Sequence, residues 1–244
     1  MIVAIDGPAG SGKSTVARLI ARDRGFTYLD TGAMYRSVAY LALQRGVDLS
    51  DEEAVTAIAC AEPVSFGRTD GGGQSVSVAG QDVTQAIRTP EVDASVSRVA
   101  SIPGVRHEMV RQQRALSGEG DVVAEGRDIG TVVFPQAQVK VFLTASPQTR
   151  AHRRADQRRA NACAAGQQGP VAQGQDAQAI DEQAVLEAIL RRDEADSSRA
   201  ESPLRPAEDA VHIDSSCAGI DEVVGQIGAL IDVARAAQQT QPEA

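Results

Sequence analysis

Cysteine, histidine and lysine are all scarce in this chain of 244 residues, and each scarcity removes a class of function. Three cysteines, Cys60, Cys163 and Cys217, lie far apart with no C-x-x-C pair, which points away from a disulfide framework or a zinc site. Plain thiols in a reducing compartment are expected instead. Three histidines, His107, His152 and His212, are scattered, so no Ser/His/Asp arrangement is suggested. No run approaches the roughly 18 apolar residues of a membrane span, and no basic segment precedes an apolar stretch at the start. A cytoplasmic protein without a membrane partner follows as the expectation. The net charge of −9 argues against a nucleic acid polymer as partner.

Of the two lysines, Lys13 and Lys140, the first closes the stretch GPAGSGKS. Gly7, four residues, Gly12, Lys13, Ser14 is the P-loop spacing, and each position has a physical job. Glycines let several backbone amides converge on one anion. Lys13 can reach the outer phosphates of a nucleotide, Ser14 can ligate Mg²⁺ directly, and a helix starting near Ser14 offers its positive end to the same charge. The context agrees: Ile2–Ile5 reads as a buried strand, and Val16, Leu19 and Ile20 form an apolar stripe at helical spacing. The nucleotide-binding segment is therefore Gly7, Pro8, Ala9, Gly10, Ser11, Gly12, Lys13, Ser14 and Thr15.

Further short apolar segments, Thr27–Leu29, Val122–Ala124, Val139–Leu143 and Val211–Ile213, are separated by helix-length stretches. That rhythm predicts an α/β fold with a five-stranded parallel sheet flanked by helices. A helix is expected over Ala33–Arg45, stopped by Gly46, and Ser50 with Glu53 reads as a capping box for the next. From about residue 62 to 94 the pattern changes to alternation punctuated by turns, which suggests a small antiparallel insert. Asn161–Gln178, poor in apolar bulk, reads as a mobile loop after an arginine-rich helix, and Ala237–Ala244 as a loose tail. The whole chain is read as one domain, a core carrying the insert and a helical lid over about residues 148–180.

The arginines are concentrated. Of 22, ten fall between Arg98 and Arg159, five of them within ten residues. On residue pattern alone several motifs leave two readings open. In DTGAMYR, Thr31 and Arg36 sit near the carboxyl end of a strand, where ligands bind in open α/β sheets; Thr31 equally reads as a helix cap and Arg36 as solvated. In EGRD, Glu125 suits a water-mediated Mg²⁺ position and Arg127 a bidentate phosphate contact; an Arg127–Asp128 surface pair is the plain alternative. In RRDEADSSR, Arg192, Asp196 and Arg199 recur on one helical face, which is also how an exposed charge stripe looks. Ser97 and Arg106 in SRVASIPGVR read as surface residues as readily as anything else.

Together these stretches resemble the bacterial cytidylate kinases along nearly the whole chain: GPAGSGKST, YLDTGAMYR, QAIRTPEVDASVSRVA, VVAEGRDIGTVVFP and RRDEADSSR. The first is shared by many NTPases, and the others are specific in combination. The resemblance implies a P-loop nucleoside monophosphate kinase fold whose insert binds the acceptor, with ATP as phosphoryl donor, Mg²⁺, and CMP or dCMP as acceptor. It implies Thr31, Arg36, Arg127 and Arg199 at the acceptor nucleotide, the three arginines on its phosphate. Ser97, Arg106 and Asp128 read the cytosine, and Arg192 and Asp196 reach the sugar and neighbouring groups. Arg150, Arg154 and Arg158 would close on the transferring group from the lid. Lys13, Arg127 and Arg199 are the expected catalytic residues, and a monomer is expected.

An acceptor phosphate is already anionic, so transfer needs no general base, only positioning and charge stabilisation. Two rivals remain open: another small-molecule kinase of the same fold, and a nucleotide-driven binding switch.

Overall fold

The computed structural model describes residues 1–69, 73–118, 120–166 and 181–239, with only the backbone described at 161–166. Five parallel strands form the core sheet in the order β2-β6-β1-β7-β8: β1 Ile2–Asp6, β2 Thr27–Asp30, β6 Val122–Gly126, β7 Val139–Thr144 and β8 Val211–Asp214. Strand β1 has neighbours on both sides and helices on both faces, which is why it reads as an unbroken apolar run. Val3 and Ile5 pack on Val16 and Ile20 of helix α1 (Lys13–Arg24) and on Ile227 and Ile231 of α8 (Ile220–Gln239). Ala4 faces the opposite cluster, with Met34 and Val38 of α2 (Thr31–Gln44).

The second sheet is antiparallel, β3 Ser65–Arg68, β4 Gln74–Val78 and β5 Gln81–Asp82. Ala79 and Gly80, both at positive φ, turn β4 into β5, as a tight hairpin requires. Val76 and Val78 join the buried cluster of α2, α4 (Pro90–Val99) and α5 (Pro103–Ser117), so the insert is packed on the core. Helix α6 (Pro147–Gly166) and helix α7 (Glu182–Ser197) meet through Ala151, Val185 and Ile189, a small cluster of their own.

Four local expectations are corrected. Helix α3 (Glu52–Ala61) is capped by Asp51, whose side chain accepts from Ala54 N–H at 3.0 Å; the Ser50–Glu53 box does not form. Aspartate is as good a cap as serine, and Ser50 instead donates its N–H to Asp48. Residues 161–166 continue α6 rather than opening a loop, and α8 runs to Gln239 through the start of the expected tail; 167–180 and 240–244 lie outside the described residues. Arg199 falls beyond the end of α7, so it is not on the helical face of Arg192 and Asp196.

Candidate active site

The register of the sheet assembles the site. Ile5 aligns with Glu125, Asp6 with Gly126, and Asp30 with Glu125, so three carboxylates reach the carboxyl edge together, beside the loop leaving β1. That loop turns with Gly7 at φ +147°, Gly10 at +79° and Gly12 at +93°. A Cβ on Gly7 would lie 2.0 Å from the Leu143 carbonyl oxygen, so no larger residue fits. Three loop carbonyls are tied off by cations: Pro8 accepts from Lys13 Nζ at 2.8 Å, Gly7 from Arg127 Nη1 at 2.8 Å and Ala9 from Arg150 Nη1 at 3.2 Å. Ser11 donates to Pro8 at 3.1 Å and its own carbonyl accepts from Ser215.

A cavity of about 740 Å³ runs from this loop across the sheet edge to α4 and α5. It takes in most of the residues singled out in sequence: Ala9 to Thr15 along the loop, Thr31 and Arg36 of α2, Ser97 and Arg106 of the two helices after the insert, and Glu125, Arg127 and Asp128 after β6. Arg192, Asp196 and Arg199 close the far wall, and Arg154 and Arg158 overhang it from α6. Gly7, Pro8 and Arg150 do not line it. Arg150 is buried beneath the loop, paired with Asp193 at 2.7 Å and donating to Ala145 at 3.0 Å, and so stands apart from Arg154 and Arg158 here. Arg153 lines the cavity in its stead, held by Ser215.

Most of the plain alternatives left open by residue pattern meet a specific contact; Ser97 is placed only by its position on the cavity wall. Thr31 is not the cap of α2; Asp30 is, accepting from Ala33 N–H at 2.9 Å, and Thr31 donates its hydroxyl to the Glu125 carbonyl at 2.7 Å. Arg127 ignores its neighbour and donates Nε to Asp196 at 2.8 Å. Asp128 pairs instead with Arg106, both buried, and the Arg106 guanidinium sits 5.6 Å over the Tyr35 ring. Asp196 is 1% exposed, far from a solvated stripe.

The charge balance is uneven. Arg127, Arg192 and Arg199 all share Asp196, and Arg36 and Arg154 both share Asp93. Five guanidiniums on two carboxylates leave a surplus of three positive charges in one cavity, within a chain of net charge −9. Burial, reinforced by Arg127, pushes the Lys13 ammonium down to about 7, and Arg192 falls to about 9 for the same reasons. Burial and Asp30 raise the Glu125 carboxyl. For Asp196, burial works upward, yet Arg127, Arg199 and Arg192 together hold it below the usual range. A partly desolvated cation cluster of this kind is a site for a polyanion.

Mg²⁺ demands few protein ligands when phosphates supply the rest. Ser14 stands close enough to the Glu125 carboxylate to work against its rise, and Glu125 accepts from Tyr28 Oη at 2.6 Å, so a hydroxyl and an oriented carboxylate stand together next to Lys13. That donor set fits Mg²⁺ bound alongside phosphates; among the described residues no cluster of three or more His, Cys, Asp or Glu can hold a metal by itself.

Sequence reasoning missed Asp6, Tyr28, Asp93, Arg153 and Ser215. Asp6 carried a signal, a lone acid ending a buried apolar strand. The others act on partners between 57 and 204 positions away, which no local pattern records. No helix among the described residues is long and apolar enough to cross a membrane. Cys60 and Cys217 are free and exposed, as plain thiols would be; nothing is described of the Cys163 side chain.

Comparison with known proteins places the chain in a family. Residues 3–233 match the family described as cytidylate kinase. The chain is 45% identical over 232 residues to the cytidylate kinase of Bacillus licheniformis, covering 95% of this chain and 96% of that one. It is equally 45% identical over 233 residues to that of Pelotomaculum thermopropionicum, covering 96% of both. Among solved structures, an uncharacterized protein from Eubacterium ventriosum superposes over 95% of this chain and 98% of its own, with a TM-score of 0.51 at 12% identity, a likeness of fold alone. With nearly half of all positions shared along the full length of such relatives, on a phosphate-binding loop facing a buried cation cluster, this chain belongs to the cytidylate kinase family.

Proposed function

We propose that the chain transfers the γ-phosphoryl group of ATP to CMP or dCMP, giving ADP and the diphosphate. The observation that carries this reading is the continuity of one cavity from the Lys13–Ser14 loop to the buried Arg106–Asp128 pair, with the surplus of guanidinium charge between them. A donor triphosphate fits at one end and a base at the other, so the two phosphates meet where positive charge is in excess. The family match and the names of the relatives support the acceptor class.

Cytosine presents an amine donor and two acceptors on its pairing edge, so a selective pocket needs a carboxylate facing the amine and donors facing the acceptors. Asp128 supplies the first, Arg106 and Ser97 the second. Arg36, Arg127 and Arg199 hold the acceptor phosphate, Arg192 and Asp196 reach the sugar, and Arg154 and Arg158 approach from α6, which with α7 forms the lid. Lys13 spans the outer donor phosphates.

No general base is required, because the attacking phosphate oxygen is anionic at neutral pH. The protein's work is to hold the two nucleotides in line and to place cations where charge spreads in the transition state. Lys13, now lowered by burial among cations, regains its proton affinity beside phosphate. Ser14 and, through water, Glu125 would hold Mg²⁺, which supplies charge neutralisation at the donor phosphates. Closure of the arginine-bearing helix α6 keeps water from competing with the acceptor.

The test is ADP release from Mg-ATP with CMP, dCMP, UMP, AMP and GMP in turn, on the wild type and Asp128→Ala. CMP and dCMP should dominate, and the variant should lose that preference. ADP release that no monophosphate stimulates would overturn the acceptor assignment.

A further inference from the structure

Asp6 ends β1 one residue before the phosphate loop, is 4% exposed, and does not line the cavity. Its two carboxylate oxygens accept two consecutive backbone amides, Ile129 N–H on Oδ1 and Gly130 N–H on Oδ2, each at 2.7 Å. Those amides open a π-helical turn over Ile129–Val133, in which Phe134 N–H reaches back to Ile129 O at 2.7 Å and Val133 N–H to Asp128 O at 3.1 Å. A wide turn leaves its first amides without partners inside the helix. Asp6 supplies the acceptors for two of them.

The next residue grips the same segment from its other end, because Gly7 O accepts Arg127 Nη1 at 2.8 Å. Two consecutive residues of the donor side thus hold both ends of Arg127–Gly130, the stretch that carries an expected phosphate arginine and the base-reading carboxylate. Asp128 itself sits at φ −145°, ψ 24°, a conformation set by the turn that Asp6 closes. Gly130 leaves room for this contact; a Cβ there would stand 3.4 Å from Asp6 Oδ2 and 3.2 Å from Lys140 Cδ.

We propose that Asp6 is a positioning residue for acceptor selectivity: its carboxylate clamps the Ile129–Gly130 amides and thereby fixes Asp128 against Arg106, joining the donor loop to the base-reading pair. Keeping it there costs stability. Among the described residues it has no ion-pair partner within 4.0 Å, and a buried carboxylate held only by neutral donors is expensive. Burial accordingly pushes its carboxyl up to about 6, against the two amide bonds and Lys13, with Asp128 adding to the rise.

The inference rests on the proposed acceptor reading, and its test separates the two. Steady-state kcat and KM are measured for CMP, UMP and ATP on the wild type, Asp6→Asn, Asp128→Asn and the double variant. An asparagine matches aspartate in size but offers one acceptor oxygen, and its amide hydrogens then face a backbone N–H. The expected result is a raised KM for CMP, a CMP-over-UMP ratio in kcat/KM lower by about tenfold, the loss of one charge-assisted hydrogen bond, and an ATP KM within about twofold of wild type. In the Asp128→Asn background the second substitution should leave the ratio unchanged, since the effect runs through Asp128.

A ratio that Asp6→Asn does not move, a parallel fall for CMP and UMP, or an undiminished drop without Asp128 would overturn this inference alone. A wild type that phosphorylates no pyrimidine monophosphate would overturn the acceptor reading and this inference with it. If Asp6→Asn does not fold, Gly130→Ala crowds the same contact from the opposite side and is read by the same ratios.

Discussion

Single glycines in this chain carry unequal weight, and space decides which matter. Gly46 and Gly7 both adopt positive φ, but nothing lies within 4 Å of a Cβ at Gly46, whereas one at Gly7 would meet a backbone carbonyl at 2.0 Å. Gly46→Ala should therefore cost only left-handed strain, about 1–2 kcal/mol, and leave the kinetics as they are. Gly7→Ala must push β1 from β7 or reshape the loop, and should cost roughly 3 kcal/mol while raising the KM for ATP. Thermal unfolding of the two variants beside their ATP titrations distinguishes strain from collision. Equal losses in both would show that the close approach to Leu143 does not constrain the loop.

At the scale of elements, helix α4 and helix α6 meet through one carboxylate. Asp93 accepts both Arg36 and Arg154. Burial raises its carboxyl, but the two guanidiniums outweigh that and hold it below the ordinary range. On the proposed reading, an acceptor phosphate at Arg36 would compete with this side chain for the same charge. Asp93→Asn should free both arginines, lower the KM for CMP several-fold, and leave the KM for ATP little changed; acceptor titration at saturating ATP reads the effect. A higher KM for CMP would mean instead that Asp93 orients Arg36 for the phosphate.

Over the whole molecule, the site is a cationic centre within an acidic protein, and that concentration costs stability. Lys13 falls from 10.5 to about 7 on folding, chiefly through burial and then Arg127. Between those values the unfolded chain binds more protons than the folded one, so this group makes stability rise with pH across that window, while below about pH 7 the full penalty applies. Lys13→Met should be the more stable protein at pH 6.5, with the difference shrinking toward pH 9.5. Thermal melts without nucleotide read this directly, at roughly 2–4 °C per kcal/mol for a chain of this size. A wild type already more stable than the variant at pH 6.5 would show that Lys13 is well compensated where it lies.

What the sequence by itself determined is most of what chain neighbours control, with the choice of Asp51 over Ser50 as the cap of α3 a local exception. Strands β1 and β6, buried on both faces, read as apolar runs, while β7 alternates and the edge strands β2 and β8 are short and partly exposed; spaced by helix-length stretches, all five were legible to within a residue or two, and the insert announced itself by its change of period. The phosphate loop was legible because its function is carried by consecutive backbone groups, and the family motifs brought most cavity residues with it. What only the tertiary structure decided is how charges are shared. Arg127 pairs with Asp196 across 69 positions rather than with adjacent Asp128, Arg36 with Asp93 across 57, and Asp6 bonds the 129 and 130 amides across more than 120. Neither the exclusion of Arg150 from the cavity nor the placement of Arg153 in it follows from helical spacing, because Ser215 and Asp193, which hold them, come from later in the chain. Local patterns fix backbone conformation through sterics and hydrogen bonds between near neighbours; partners for buried charges exist only once folding has brought distant segments together.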